Sequence, residues 1–296
     1  KHCPRESDCS LAEKREKLGG SLPQLNQWLI VQNSFTIFRK EIASFFNSLV
    51  GYMVLIVFVI LTGLFFWVFD EHILISGKAN MNLLFQYAPI FFILLVPAIT
   101  MRSISEEMKT GTIEFLVTKP LTNFQLIMGK FGAAAFLVFI TILPTFIYYI
   151  SIQTIARDPS ELQRVLDPAL LDQSIGAITY TSKLDNGPII GGYIGLFALG
   201  TIFAALGILS SALSENQVVA YVIGAFFCFM MYFGFSFSSQ LEDLTNVNLA
   251  IDRLGILSHY ENISQGVVDT RDVVYFLSVV VIVIAATTTT LSLKRR

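Results

Sequence analysis

Six stretches of the chain contain no Asp, Glu, Lys, Arg or His: 49–69, 83–101, 131–152, 189–213, 218–237 and 273–291. Apolar runs of about 20 residues suit a helix crossing a hydrocarbon core about 30 Å thick. At about 1.5 Å per residue, a 49–69 helix would reach about 31 Å. A membrane β-barrel would alternate apolar and lumen-facing polar residues, and these runs do not. The pattern predicts an all-α polytopic membrane protein with six transmembrane helices.

Composition supports that class. Of 296 residues, 54% are hydrophobic and 14% charged, against about 25% charged in ordinary soluble domains. The distribution of basic residues sets the expected orientation. Seven Lys/Arg lie in 1–48, four in 102–130 and three in the basic tail 292–296, whereas the loops on the opposite side hold six. Lys and Arg near span ends favour the cytoplasm, so both termini and the 102–130 segment are expected there. The external loops 153–188 and 238–272 are acidic, with five and six carboxylates. Residues 1–22 form a polar leader with mixed charge, unlike a cleavable signal peptide, and receive no functional role. Cys3, Cys9 and Cys228 define no disulfide framework and read as unpaired thiols.

The segments outside the spans carry their own patterns. In 23–48, Pro23 suits a helix start, and Trp28, Leu29, Phe35, Phe38, Ile42, Phe45 and Phe46 form an approximate stripe. With Arg39, Lys40 and Glu41 expected on other faces, this reads as an amphipathic helix in the membrane interface. A plain extension of the first span is the alternative. The island "RSISEEMKTGTIEFLVTKPLTNFQLIMGK", residues 102–130, has two predicted capping boxes, Ser103 with Glu106 and Thr122 with Gln125. Gly111 should break the first helix, and Pro120 should turn the chain back toward the membrane. Ile113, Phe115, Leu116 and Val117 are too apolar for an uncovered loop. In 238–272, Leu244, Val247, Ile251 and Leu254 have helical spacing, and Gly255 reads as a helix stop; a plain loop is the alternative. Small residues recur in the fourth span at Gly191, Gly195, Gly200, Ala204, Gly207 and Ser211. They permit close helix contact, read as packing within the chain rather than a dimer seam.

Several functions lose their chemical basis. Ion-coupled carriers and pumps place ionisable side chains inside the bilayer, and the six runs have none, although their Ser, Thr and backbone carbonyls could still bind an ion. An intramembrane metalloprotease needs His or carboxylate ligands, yet His2, His72 and His259 all lie outside the runs. No G-x-x-x-x-G-K-[ST] phosphate loop exists; Gly77-Lys78 and Gly129-Lys130 are followed by Ala and Phe. The chain is therefore not expected to be an enzyme, and active transport would draw on ATP hydrolysed by another polypeptide.

The segment "EEMKTGTIEFLVTKPLTNFQLIMGK" resembles the signature of type-2 ABC exporter permeases, through Glu106, Glu107, Gly111, Thr112, Glu114, Leu116, Pro120, Gly129 and Lys130. "FTIFRKEIASFF" before the first span is similar to the same family. The resemblance implies a six-span permease domain over 49–291. It also implies a coupling segment that docks on a separate ABC ATPase through Glu106, Glu107, Gly111, Thr112, Ile113, Glu114, Phe115, Leu116 and Pro120. An interfacial helix would present Phe35, Phe38, Arg39, Lys40, Ile42 and Phe45. "FFILLVPAITMRSISEEMKTGTIEFL" and "LGILSHYENISQGVVDTRDVVYFLSV" look like permeases of gliding-motility-associated transporters. That implies a GldA-like ATPase and a GldG-like second membrane subunit, or a second copy of this chain. ATP and Mg would sit in the ATPase, with no cofactor or metal on this chain and no nucleic-acid partner. The expected location is a bacterial inner membrane, in contact with its lipids. An exporter of drugs, lipids or polysaccharide, or a non-transporting membrane scaffold, stays open, and no substrate is readable.

Overall fold

The structure, a computed structural model, describes residues 34–68, 81–112, 122–157, 186–239, 255–267 and 269–294. Among these the chain is helical throughout, with no strand. In chain order the helices are α1 (34–46), α2 (Leu49–Trp67), α3 (Asn82–Thr100), α4 (Arg102–Lys109) and α5 (Asn123–Ile142). After a 3-10 turn at Leu143–Thr145, which contains Pro144, come α6 (Phe146–Arg157), α7 (Asn186–Leu213), α8 (Gln217–Ser239), α9 (Ile256–Ser264) and α10 (Thr270–Lys294). Among the described residues, six helical segments are long and apolar enough to cross a membrane, α3–α4 and α5–α6 each forming one. The chain is a multi-pass membrane protein.

α7 is the centre of the bundle: 72% of its membrane-length window is buried, against 28% for α2, 22% for α8 and 28% for α10. Its small residues explain this. A Cβ at Gly191 would strike the Ile263 carbonyl, and at Gly195 it would lie 3.2 Å from the Ile263 side chain. One at Gly200 would sit 2.5 Å from Val138, and one at Gly207 would overlap Thr100. The stripe therefore packs α9, α5 and α3 of the same chain. Helices in lipid gain nothing from hiding apolar surface from water, so close backbone approach is the available attraction. Ile56 on α2, Val222 and Phe226 on α8 and Val281 on α10 face outward, as lipid contact requires. Tyr232, also on α8, is buried instead and meets Phe203 of α7 edge-on.

Two prolines lie inside α3, Pro89 and Pro97. Proline has no N–H to give the carbonyl four residues earlier. For Pro89 that carbonyl is Phe85, and the Tyr260 hydroxyl of α9 donates to it at 2.6 Å. Burial pushes the Tyr260 pKa well up, with Tyr232 and Glu261 adding to it, so the hydroxyl keeps the proton it donates. α9 is also tied to α10: His259 Nδ1 and Asp272 Oδ1 are 2.6 Å apart, and the imidazole stacks on Tyr275 at 4.1 Å.

Two local expectations need correction, those for Ser103 and Glu41. Ser103 caps nothing: Met101 keeps right-handed helical angles (φ −55, ψ −30), so the helix from α3 runs on and Ser103 lies inside α4. Gly255 is also the N-cap of α9, with extended angles; the helix it is expected to end, with Leu244, Val247, Ile251 and Leu254, lies outside the described residues. Glu41 is not on an outward face but is turned toward Lys130 of α5, 2.6 Å away. The second capping box forms as read: Thr122 and Gln125 exchange both bonds at the start of α5.

Candidate functional site

The 102–130 island brings three elements together at one end of the bundle: α1, α4 and the first turns of α5. The capping box holds the α5 start, and two turns later comes Gly129. A Cβ there would lie 2.8 Å from the Ser34 carbonyl and 2.9 Å from Ile37 Cβ, so only glycine lets α1 lie this close. Ser34 Oγ reaches the Gln125 carbonyl at 3.3 Å, and Phe38 meets Phe136 edge-on at 5.8 Å. The face of α1 turned to the bundle thus includes Ser34, Ile37, Phe38, Glu41 and Phe45, a helical i, i+3, i+4, i+7, i+11 series. Phe35 points away and is 63% exposed, stacked on Phe38; Arg39 and Lys40 are exposed as well.

Lys130 sits beneath this contact and is 2% exposed. Its Nζ lies 2.6 Å from Glu41 Oε1 of α1 and 3.0 Å from Glu107 Oε1 of α4, and it donates to the Ser103 carbonyl of α4. Lys40 Nζ approaches Glu107 more loosely, at 3.7 Å. One buried ammonium thus joins three helices that are distant in sequence. Enclosing such charges is costly and is compensated only by close partners and further hydrogen bonds. Glu107 Oε2, buried and without a hydrogen-bond partner, makes the arrangement dependent on Lys130.

α4 is held from the other side by α7. The amides of Ile104 and Ser105 both donate to Ser211 Oγ at 2.9 Å, and the Ser211 hydroxyl donates to the Met101 carbonyl at 2.9 Å. One hydroxyl therefore braces the α3–α4 junction at Met101. At its far end α4 stops at Gly111, whose φ is +69, a region that non-glycine side chains rarely adopt. The Gly111 amide bonds the Met108 carbonyl, and the Thr110 and Thr112 hydroxyls meet at 3.0 Å.

Of the predicted coupling residues, Glu106, Gly111 and Thr112 are exposed, whereas Glu107 is turned inward to Lys130. Glu107 Oε1 is thus engaged within the chain, between Lys130 at 3.0 Å and Lys40 at 3.7 Å. Ile113, Glu114, Phe115, Leu116 and Pro120 lie outside the described residues. Sequence reading noted Gly129 and Lys130 without a role and missed Glu41 and Ser211. A carboxylate inside an aromatic stripe was the available signal for Glu41. No group of three or more His, Cys, Asp or Glu that could hold a metal occurs among the described residues. The arrangement is mechanical: a turn at Gly111, a short helix, and rigid links from it to α1, α5 and α7.

Residues 35–296 match the family model described as ABC-2 family transporter protein. No curated protein matches the chain.

Proposed function

We propose that this chain, which belongs to the ABC-2 family of transporter proteins, is a type-2 exporter permease whose α4 and following residues receive the motion of a separate ATPase. Family membership makes it the transmembrane component and implies an ABC ATPase partner. One observation carries the coupling reading. Lys130 links α4 to α1 and α5 while Ser211 links it to α7, so a push on the Gly111 turn reaches three elements together. In this reading Gly111, Thr112, Ile113, Glu114, Phe115, Leu116 and Pro120 form the docking surface, with Phe115 and Leu116 filling an apolar groove on the ATPase. Glu107 transmits the motion rather than meeting the partner. α1 lies in the interface, with Phe35 toward lipid and Arg39 and Lys40 toward headgroups. The finer assignment is a GldF-like permease of a gliding-motility-associated transporter, with GldA-like and GldG-like partners, resting on the resemblance of the quoted segments. ATP and Mg belong to the ATPase.

Gly111→Val and Phe115→Asp test the coupling reading. Valine at a left-handed position adds about 1–2 kcal/mol of strain, a factor of about 5–30 in an equilibrium. Both variants should insert normally, yet recover less ATPase on co-purification and lose stimulated ATP hydrolysis in the reconstituted complex. Wild-type binding and hydrolysis in both would remove the docking role. The α1 end is proposed to be cytoplasmic on the fourteen-to-six distribution of Lys and Arg. An impermeant thiol reagent on intact cells should label a cysteine at Asp172 and spare one at Thr118; equal labelling would reject that orientation.

A further inference from the structure

Beside the Lys130 cluster, α1, the start of α2, α3–α4 and α5 enclose a cavity of about 370 Å³, within the range of about 300–1,000 Å³ of small-ligand sites. Its ends differ in chemistry. Of its lining residues, Lys40, Arg102 and Glu106 are exposed and form the rim, whereas Ala134 and Leu137 are buried and, with Ile99, form the inner wall. Leu137 is seven residues beyond Lys130 on α5, about 10 Å deeper at about 1.5 Å per residue. The cavity therefore runs from charged groups at the helix ends into hydrocarbon depth, the amphipathic profile of a lipid.

The rim specifies the headgroup. Arg102 and Glu106 are one turn apart on the exposed side of α4, yet none of the ion pairs among the described residues joins them. Among the described residues, the Arg102 guanidinium makes one long side-chain bond, 3.5 Å, to Ser48 Oγ. A guanidinium offers five donors suited to phosphate oxygens, and a carboxylate one turn away, about 5–6 Å at Cβ, suits an ammonium. Across the lining, Lys40, Arg102 and Lys130 are balanced by Glu41, Glu106 and Glu107. A lining without net charge, in which Arg102 and Glu106 join none of the ion pairs among the described residues, favours a zwitterion over a headgroup of net negative charge.

We propose that this cavity binds one membrane phosphatidylethanolamine, its phosphate on Arg102 and Lys40, its ammonium on Glu106 and the first methylenes of an acyl chain along Ile99, Ala134 and Leu137. The cavity shares Thr112 with the ATPase-docking reading, but lipid retention by the chain alone needs no ATPase, so the two readings can fail separately. The test is native mass spectrometry of the full chain in detergent with equimolar palmitoyl-oleoyl phosphatidylethanolamine and phosphatidylglycerol. The wild type should retain one phosphatidylethanolamine in about tenfold preference. Arg102→Glu should lower that retention about tenfold, and Glu106→Gln should erase the preference while keeping a lipid. Ala134→Phe should displace both lipids without changing charge. Equal retention of the two lipids by the wild type, or an unaffected Arg102→Glu, would overturn the proposal. Displacement by O-phosphoethanolamine at concentrations comparable to the lipid would also overturn it, in favour of a soluble phosphate ligand.

Discussion

Lys130→Met should lower the melting temperature of the purified chain by about 5–15 °C. Without the ammonium, Glu41 and Glu107 face each other across α1 and α4, with side chains 23% and 13% exposed. Breaking a buried ion pair by removing one partner costs about 3–5 kcal/mol, and a large domain loses about 2–4 °C per kcal/mol. Lys40, at 3.7 Å from Glu107, relieves only part of this, since it is largely in solvent. The Glu41→Gln/Glu107→Gln/Lys130→Met triple variant should melt within a few degrees of wild type, because no unpaired charge is left. Melting of Lys130→Met at the wild-type temperature would show that the three helices do not depend on this ammonium.

Gly191→Leu should detach α9 from α7. The new Cβ would overlap the backbone carbonyl of Ile263 and approach Gly266 Cα at 3.0 Å, and neither can move aside by changing a rotamer. Overpacking of this kind costs about 1–3 kcal/mol or more, and lifting α9 also breaks its Tyr260 bond. Hydrogen exchange in 256–264 should therefore speed up by about tenfold or more, while exchange in α4, at the other end of the bundle, stays unchanged. Unchanged protection of 256–264 would mean that α9 is held by contacts other than this approach.

These two sites mark where reading the sequence succeeds and where it stops. The spans were legible because a helix in lipid must exclude charge along its whole length, and the Thr122–Gln125 box because both partners lie within one turn. The small-residue stripe of α7 was legible as packing, though not which helix each glycine admits. Glu41 was misread because its partner Lys130 is 89 residues away, and an apolar stripe alone argues for the wrong face. Ser103 has the same local pattern as Thr122; what differs is a helix arriving from α3 that does not end. Ser211 reads as one more small residue until α4 is placed against it. Local rules find elements and caps, whereas the charged links between elements depend on the tertiary arrangement.

Pro89 and Tyr260 also bear on how this sequence can change over generations. Each alone is a poor choice: a proline interrupts a helix, and a phenolic hydroxyl in an apolar interior needs an acceptor. Together each remedies the other, since the carbonyl that Pro89 leaves on Phe85 is the acceptor that Tyr260 takes. A lineage that loses the tyrosine keeps a stranded carbonyl, and one that loses the proline supplies that carbonyl with a competing amide. Neutral drift at either position is therefore conditional on the other, and descendants should keep both residues or replace both.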